Sequence, residues 1–280
     1  SMIAGIVASG VTFIIIMKMA DYSAPKVQEY FGLPGVALPH TETVSWAPVM
    51  ILLDKIYDKI PGFNKIHFDG ESIQKKFGIL GDPMVLGLIL GALIGVLAGY
   101  QPNAVITLAV NMAAVMFILP RMVRILMEGL MPLSEDAKKF LAKKFPGKEV
   151  NIGLDAAVAT GSPMVISAAL LMIPITLFLA VILPGNKLLP LVDLSTLPFF
   201  MIWPVVASKG NLFRSLISGT LMMIAILYIG TNLAPTVTMI AHSTNFAFPE
   251  GASAVSSLDV GAHLVPYIIY KVSQFISMIF

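Results

Sequence analysis

Two apolar segments joined by a short polar turn indicate the class of this protein: MVLGLILGALIGVLAGY (84–100), QPN (101–103) and AVITLAVNMAAVMFILPRMVRILM (104–127). Each apolar segment is close to the roughly 20 residues that an α-helix needs to cross a bilayer. Pro and Asn in the connection favour a turn. The stretch therefore predicts a hairpin of two membrane helices.

Apolar segments of similar length occur along most of the chain. They cover residues 2–19, 164–183, 194–208 and 212–233, with two less regular stretches at 44–60 and 264–280. The composition agrees, because 57% of the residues are hydrophobic and only 12% are charged, against roughly 25% charged residues in soluble domains. The sequence thus predicts an all-α, polytopic integral membrane protein in a lipid bilayer, and it excludes a soluble enzyme and a disordered chain.

Basic residues are concentrated in two clusters that flank the hairpin. Of the 18 Lys and Arg residues, 12 lie in residues 54–76 and 121–148. Because a hairpin returns the chain to its starting side, both clusters are expected on one face, which the positive-inside rule makes cytoplasmic. The net charge of +2 does not indicate a nucleic-acid partner. The absence of Cys excludes thiol chemistry within the chain, and no cofactor or zinc-binding motif is present.

Two similar motifs suggest an internal repeat. Ile60-Pro-Gly-Phe-Asn-Lys-Ile66 and Leu183-Pro-Gly-Asn-Lys-Leu188 each follow an apolar segment. Three predicted crossings separate them, so they are expected on opposite faces. This predicts inverted-repeat halves, 1–131 and 151–280, joined by a cytoplasmic amphipathic linker, 132–150, whose helix would begin near Ser134. Inverted repeats with broken helices are common in secondary transporters.

The first candidate functional segment is a polar run, broken by Gly and Pro, near residues 33–46. Its prolines and glycines exclude an uninterrupted helix, and they favour a re-entrant segment that is buried in protein or lines a cavity. His40, Thr41 and Glu42 would present an imidazole, a hydroxyl and a carboxylate to a polyhydroxylated ligand, and Trp46 would offer an apolar face. The alternative is an external loop with an interfacial Trp.

Two further polar runs contain carboxylates. Asp155 lies in an otherwise small and apolar stretch, where a carboxylate at membrane depth indicates a functional site; the alternative is a helix N-cap. Asp259 lies in the Ser- and Gly-rich cluster 242–263. That cluster is either an external loop or a second re-entrant arm.

Two other features have alternative interpretations. Gly87, Gly91, Gly95 and Gly99 recur every four residues, which favours static helix packing over a surface on which a mobile domain slides. Arg214 is consistent with a cytoplasmic turn or with a phosphate contact.

Twelve short motifs carry a resemblance to a known family. They are Gly35-Val-Ala-Leu-Pro-His40, Lys59-Ile-Pro-Gly-Phe-Asn-Lys-Ile66, Ile73-Gln-Lys-Lys-Phe-Gly78, Gly81-Asp-Pro83, Leu97-Ala-Gly-Tyr100, Ala113-Ala-Val-Met116, Pro120-Arg121, Ile152-Gly-Leu-Asp155, Pro184-Gly-Asn186, Gly210-Asn-Leu-Phe-Arg214, Leu216-Ile-Ser-Gly219 and Ser257-Leu-Asp259. Together they closely resemble the galactitol-type membrane component, enzyme IIC, of the bacterial phosphoenolpyruvate-dependent phosphotransferase system. The similarity runs almost from end to end.

The resemblance implies a permease in the bacterial cytoplasmic (inner) membrane that carries a sugar alcohol such as galactitol or a related sugar. It also implies a homodimer and no cofactor. A separate IIB subunit would phosphorylate the substrate from a phosphocysteine, and IIA would recharge IIB. By position, His40 and Asp155 are expected to line the substrate site; Thr41 and Glu42 follow by adjacency, and Asp259 completes the predicted set.

Some features depart from the family pattern. Relatives extend further at both ends, and they can have a His soon after the Gly-Leu-Asp motif where this chain has Ser162. Three alternatives to the permease therefore stay open: an ion-coupled secondary transporter in which Glu42, Asp155 or Asp259 carries a proton, an intramembrane enzyme with a pair of acids, and a structural fragment of a bundle.

Overall fold

The computed structural model describes residues 2–66, 68, 82–146, 150–248 and 253–279. Within these ranges the protein consists almost entirely of helices, which confirms the predicted all-α class. The helices are α1 (Met2–Phe31), α2 (Thr41–Val44), α3 (Ala47–Tyr57), α4 (Pro83–Leu97), α5 (Pro102–Lys144), α6 (Ala157–Thr160), α7 (Pro163–Ile182), α8 (Leu197–Ala207), α9 (Leu212–Ser243), α10 (Leu258–Ala262) and α11 (Leu264–Ile279). Two strands, β1 (Val36–Ala37) and β2 (Ile152–Gly153), and two 3-10 turns, Phe63–Lys65 and Asp193–Thr196, complete the described elements. Lys75, Lys76, Lys148 and the motif at 73–78 lie outside the described residues.

Four of the described helices are long and apolar enough to cross a membrane: α1, α5, α7 and α9. Helices α4, α8 and α11 are apolar but shorter. Pro is among the first residues of α4, α5 and α7, where its missing N–H breaks no helical hydrogen bond. The chain is thus a multi-pass membrane protein, as the hydropathy pattern predicts.

Helix α5 differs from the prediction because it does not stop near residue 127. It continues without a break to Lys144, through Pro120 and Pro132. No new helix begins at Ser134, so α5 crosses the predicted boundary between the first half and the linker. The residues from Glu135 to Lys144 include many strong helix formers and no Gly or Pro, which favours extension of the existing helix.

The hairpin of α4 and α5 is held together by close backbone contact. A Cβ added to Gly87 would lie 2.8 Å from the carbonyl oxygen of Met112, and one added to Gly91 would lie 2.8 Å from the Cα of Ala109. These distances leave no room for a side chain. Gly99 takes no part, because it has a positive φ of 71° and nothing within 4 Å of the added Cβ. The contacts support static packing as the role of the glycine strip.

The main core lies among α3, α7, α8 and α9. It is built from large apolar side chains that are almost completely buried, among them Trp203, Met201, Met222, Met223 and Ile226. Burial of these side chains fixes the positions of α8 and α9. These two helices form the wall against which the broken segments pack.

The two predicted halves meet at a short parallel pair of strands. Val36 of β1 pairs with Ile152 of β2, and Ala37 pairs with Gly153. The side chain of Gln28 donates to the carbonyl oxygen of Val36 at 3.2 Å and to Oδ1 of Asn151 at 3.0 Å. The strands therefore bring the segment that follows α1 beside the segment that follows α5.

The order of elements repeats on either side of this pairing. A long helix, a two-residue strand, a one-turn helix and a further helix occur as α1, β1, α2 and α3, and again as α5, β2, α6 and α7. Each series ends at one of the two similar motifs, 60–66 and 183–188. The sequence showed an apolar segment before each of the two motifs, whereas the strands and the one-turn helices are visible only in the structure.

Basic residues and ion pairs collect at one end of the molecule. Nζ of Lys138 donates to the carbonyl oxygen of Pro34 at 3.3 Å, which places the second basic cluster near the end of α1. Lys209 pairs with Glu29 at 2.9 Å, also at that end. We refer to it as the basic end; the positive-inside rule predicts that it faces the cytoplasm.

The second of the two similar motifs lies away from the basic end. Tyr228 donates to the carbonyl oxygen of Pro184, and the N–H of Lys187 donates to Oγ1 of Thr231. Helix α9 begins at the basic end with Leu212, whose N–H donates to the carbonyl oxygen of Phe68. At 1.5 Å per residue, Tyr228 is about 24 Å further along α9.

Candidate functional site

The segment near residues 33–46 runs from the end of α1 into the protein and returns through α3. After β1 the chain turns at His40, whose carbonyl oxygen accepts from the N–H groups of Thr43 and Val44 and so starts the single turn of α2. Ser45 Oγ donates to the carbonyl oxygen of Thr41. Glu42, Thr43, Val44, Ser45 and Trp46 are buried, so these residues do not form the alternative external loop.

Trp46 does not present a free apolar face to a ligand. It is buried, and its Nε1 donates to the carbonyl oxygen of Ala262 at 2.7 Å. This bond ties the re-entrant segment to α10. The sequence prediction for Trp46 was therefore wrong in both of its forms, because the ring is neither interfacial nor open to a cavity.

Glu42 is the most unusual side chain in the segment. It is only 7% exposed, its Oε1 has no hydrogen-bond partner among the described residues, and its Oε2 lies 4.0 Å from Nδ1 of His40. Glu42 lies outside the four spanning helices. Burial first, and then the carboxyl groups of Asp259 and Asp193, raise the pKa of Glu42 above its ordinary value. The site thus favours a protonated Glu42 that can donate a hydrogen bond.

Asp259 is brought to Glu42 by α10. Ser257 caps this short helix by accepting from the N–H of Val260 at 3.1 Å, and the carbonyl oxygen of Asp259 lies 2.6 Å from Nδ1 of His263. Asp259 is half-buried. Residues of the cluster 242–263 therefore pack against the re-entrant segment, and the structure brings together His40, Glu42 and Asp259.

Asp193 is a site residue that sequence reasoning missed. It begins the 3-10 turn Asp193–Thr196, and its Oδ2 accepts from the N–H of Leu258 at 2.8 Å. Just beyond this turn, the ring of Phe199 lies 5.4 Å from the ring of His40. The only local signal was a carboxylate at the start of a predicted membrane segment, and its partners are distant in sequence.

Asp155 and Thr41 occupy different positions from these three residues. Asp155 is exposed, and its Oδ1 accepts from the N–H of Ala157, the first residue of α6, at 2.7 Å; the N-cap of α6 is the neighbouring Ala156. No hydrogen bond or ion pair joins Asp155 to His40, Glu42 or Asp259 within the described ranges. Thr41 lines an open groove between α1 and α11.

The arrangement is suited to holding hydroxyl groups. In the described part of the chain, no group of three or more His, Asp and Glu side chains could hold a metal ion. Carboxyl and imidazole groups form strong hydrogen bonds with hydroxyls where water is excluded. His40, Glu42 and Asp259, with Asp193 behind them, could bind a neutral polyhydroxylated molecule.

Comparisons with known proteins show the family of the chain. The model of the EIIC-GAT family, described as the PTS system sugar-specific permease component, matches residues 1–251. A putative permease IIC component of Escherichia coli strain K12 is 43% identical over 261 residues, which cover 93% of this chain and 60% of that protein. The PTS system galactitol-specific EIIC component of the same strain is 40% identical over 257 residues, 92% of this chain and 56% of that protein.

The chain thus spans somewhat more than half the length of the relatives it matches. No solved structure matches it. The family match covers most of the chain, including the re-entrant segment and Asp155, and it accords with the multi-pass helical architecture. The chain therefore belongs to the EIIC-GAT family of PTS system sugar-specific permease components.

Proposed function

We propose that this chain forms the substrate-binding part of a phosphotransferase-system permease that carries galactitol or a related sugar alcohol into the cell. The observation that carries the proposal is Glu42, a buried carboxyl with an unpartnered oxygen beside His40 and Asp259. An unpartnered buried polar atom costs free energy. A substrate hydroxyl would satisfy it.

Binding would use both hydrogen-bond donors and acceptors among the site residues. A protonated Glu42 donates to one hydroxyl oxygen, while Asp259 and His40 accept from or donate to others. The short elements around them, α2 and α10, are linked by the bond between Trp46 and Ala262. They would move together when the site changes its access from one face of the membrane to the other.

Phosphorylation would make uptake irreversible. In this proposal a separate IIB subunit transfers a phosphoryl group from its phosphocysteine to the bound sugar alcohol, and IIA recharges IIB. The product carries negative charge, so the carboxyl groups of Asp259 and Asp193 disfavour its return to the site. The chain has no Cys, which is consistent with a phosphoryl carrier on another subunit.

The test is uptake of labelled galactitol by cells that express the chain with its IIA and IIB partners. We expect intracellular label to be phosphorylated and to disappear when IIB is omitted. An Asp259→Asn variant should lower uptake, whereas Asp136→Asn, an exposed carboxylate on α5, should not. Unmodified label inside the cell would contradict the proposal.

The IIB subunit is proposed to dock at the basic end, against the last turns of α5. Lys139, Lys143 and Lys144 are exposed there, and they would attract an acidic surface. Reversal of Lys138, Lys139, Lys143 and Lys144 to Glu should weaken phosphorylation, most strongly at low salt. Unchanged phosphorylation in that variant would exclude this docking surface.

The localisation and oligomeric state are proposed from the family. We place the chain in the bacterial cytoplasmic membrane as a homodimer. Membrane fractionation tests the first statement, and native mass spectrometry of the detergent-solubilised protein tests the second. A monomer at all protein concentrations would contradict the dimer.

A second candidate function is ion-coupled transport, with Glu42 as the proton carrier. The burial of Glu42 beside Asp259 favours it, since a group whose pKa is raised can exchange a proton at neutral pH. This candidate predicts uptake that collapses with the proton gradient and delivers unmodified substrate. The uptake experiment separates the two candidates by the chemical form of the label.

A further inference from the structure

A groove of about 610 Å³ runs between the N-terminal part of α1 and α11. This volume is within the roughly 300–1,000 Å³ of small-molecule sites. Small residues of α1, including Gly5 and Ala8, form one side, and Pro266 lies on the other. Thr41, next to His40 and Glu42, also lines it. We call it the α1–α11 groove; through Thr41 it borders the segment that carries His40 and Glu42.

The lining of the α1–α11 groove is mostly apolar, but it includes several hydroxyl groups and no charged side chain. Five of its eleven lining residues carry a hydroxyl, and none carries a formal charge; the five are Ser9, Thr12, Thr41, Tyr270 and Ser273. A second groove, of about 510 Å³, lies against α5 and α7, and only Thr160 and Ser195 of its thirteen lining residues carry a hydroxyl. Hydroxyl groups face hydrocarbon at a cost in free energy. The α1–α11 groove is therefore suited to water and neutral hydroxylated solutes.

The groove lies toward the end of α1 that is opposite the basic end. Glu29, near the C-terminus of α1, pairs with Lys209 at the basic end, whereas the groove is lined by α1 residues between 4 and 13. About 24 Å of helix separate Phe13 from Glu29. With the basic end in the cytoplasm, the groove lies toward the external side of the protein.

We propose that the α1–α11 groove is the external entry path along which a neutral sugar alcohol reaches His40 and Glu42. The identity of the solute rests on the proposed function. The hydroxyl side chains replace water around the solute as it moves inward, and the absence of charged lining residues leaves no site that would trap an ion.

The chain offers a clean test because it has no native Cys. Single-cysteine variants Gly5→Cys and Ser9→Cys place a thiol in the groove. Gly10→Cys is the matched control: it lies on the same helix outside the groove, and an added Cβ at Gly5 or Gly10 meets nothing within 4 Å. The probe is a charged, membrane-impermeant methanethiosulfonate reagent added to intact cells.

We expect the groove variants to react at least about tenfold faster than Gly10→Cys, because a thiol must meet water to ionise and react. Galactitol should slow the reaction of Ser9→Cys. Equal, slow reaction at all three positions would show that lipid or another helix fills the groove, and it would overturn the proposal. Fast reaction that galactitol does not slow would also overturn it.

Uptake provides a second readout. Gly5→Leu should fill the groove and lower initial galactitol uptake at least about fivefold, whereas Gly10→Leu should leave uptake unchanged, since Leu favours the helix equally at both positions. Equal uptake by the two variants would contradict the entry path. If galactitol slows the labelling of Ser9→Cys but the galactitol inside the cells is not phosphorylated, the entry path stands and the proposed function is rejected.

Discussion

At the scale of single residues, Glu42 combines burial, an unpartnered oxygen and nearby carboxyl groups. The burial comes from α2, which is a single turn that directs residue 42 inward, and the carboxyl neighbours come from Asp259 and Asp193. These conditions disfavour a charged Glu42. Its contribution to binding should therefore depend on its proton.

Glu42→Gln should retain uptake within about threefold, because the amide is neutral and donates a hydrogen bond, while Glu42→Ala should lose at least about tenfold. Because the pKa of Glu42 is raised, wild-type uptake should fall when the pH rises above that pKa and Glu42 ionises. Uptake by the Gln variant should not fall over the same pH range. Initial uptake rates measured from neutral to alkaline pH check both expectations. Glu135→Gln, at an exposed position on α5, is the control. Equal uptake by the Ala and Gln variants would exclude a direct role.

Arg214 forms two ion pairs at the basic end, where it links α3 to α9. Its Nη1 donates to Oδ1 of Asp54 at 2.9 Å and to Oδ1 of Asp58 at 2.8 Å, and its side chain is buried. These acids belong to the end of α3, whereas Arg214 belongs to the start of α9. The two ion pairs therefore tie a helix of the first half to one of the second.

Arg214→Ala should lower the free energy of unfolding by about 3 kcal/mol, because it leaves the half-buried Asp54 without its cation. Lys209→Ala removes the exposed pair with Glu29 and should cost at most about 1 kcal/mol. Denaturant unfolding in detergent micelles measures both. If the two variants lose similar free energies of unfolding, burial of the Arg214 ion pairs does not add to stability.

At the scale of elements, the α4–α5 hairpin depends on glycine at the contact. Gly91→Ala would place its Cβ 2.8 Å from the Cα of Ala109 and 2.9 Å from the carbonyl oxygen of Leu108. Both neighbours are backbone atoms, so the helices must separate, at about 1–3 kcal/mol. Gly10→Ala, with nothing within 4 Å, should instead stabilise α1 by up to about 1 kcal/mol. Denaturant unfolding in detergent micelles measures both variants. If Gly91→Ala leaves the free energy of unfolding unchanged, α4 and α5 do not pack closely at Gly91.

At the scale of the whole molecule, the two similar motifs are expected on opposite faces of the membrane. Lys65 and Lys187 occupy equivalent places in them, and both are exposed. An impermeant maleimide should label Lys187→Cys in intact cells and Lys65→Cys only after the membrane is opened. Labelling of both variants in intact cells would contradict the inverted arrangement and the cytoplasmic position of the basic end.

The membrane class, the helix hairpin and the grouping of basic residues could be predicted from the chain because each depends on local properties. Length and hydropathy decide whether a segment can cross a bilayer, and charge close to its ends decides its orientation. The limits of the prediction were also local. Helix α5 runs past residue 127 because nothing after Pro132 interrupts it, and Asp155 accepts from the first N–H of α6 instead of joining the other carboxylates.

The amino-acid sequence by itself determined an all-α membrane protein of a recognisable family, with His40, Thr41, Glu42, Asp155 and Asp259 as candidate site residues. Only the tertiary structure decided which of these meet. Trp46 bonds to Ala262 across 216 residues, and Asp193 bonds to Leu258 across 65. No periodicity in the chain encodes such contacts, because they depend on how α8 and α9 pack and on where the broken segments enter the protein.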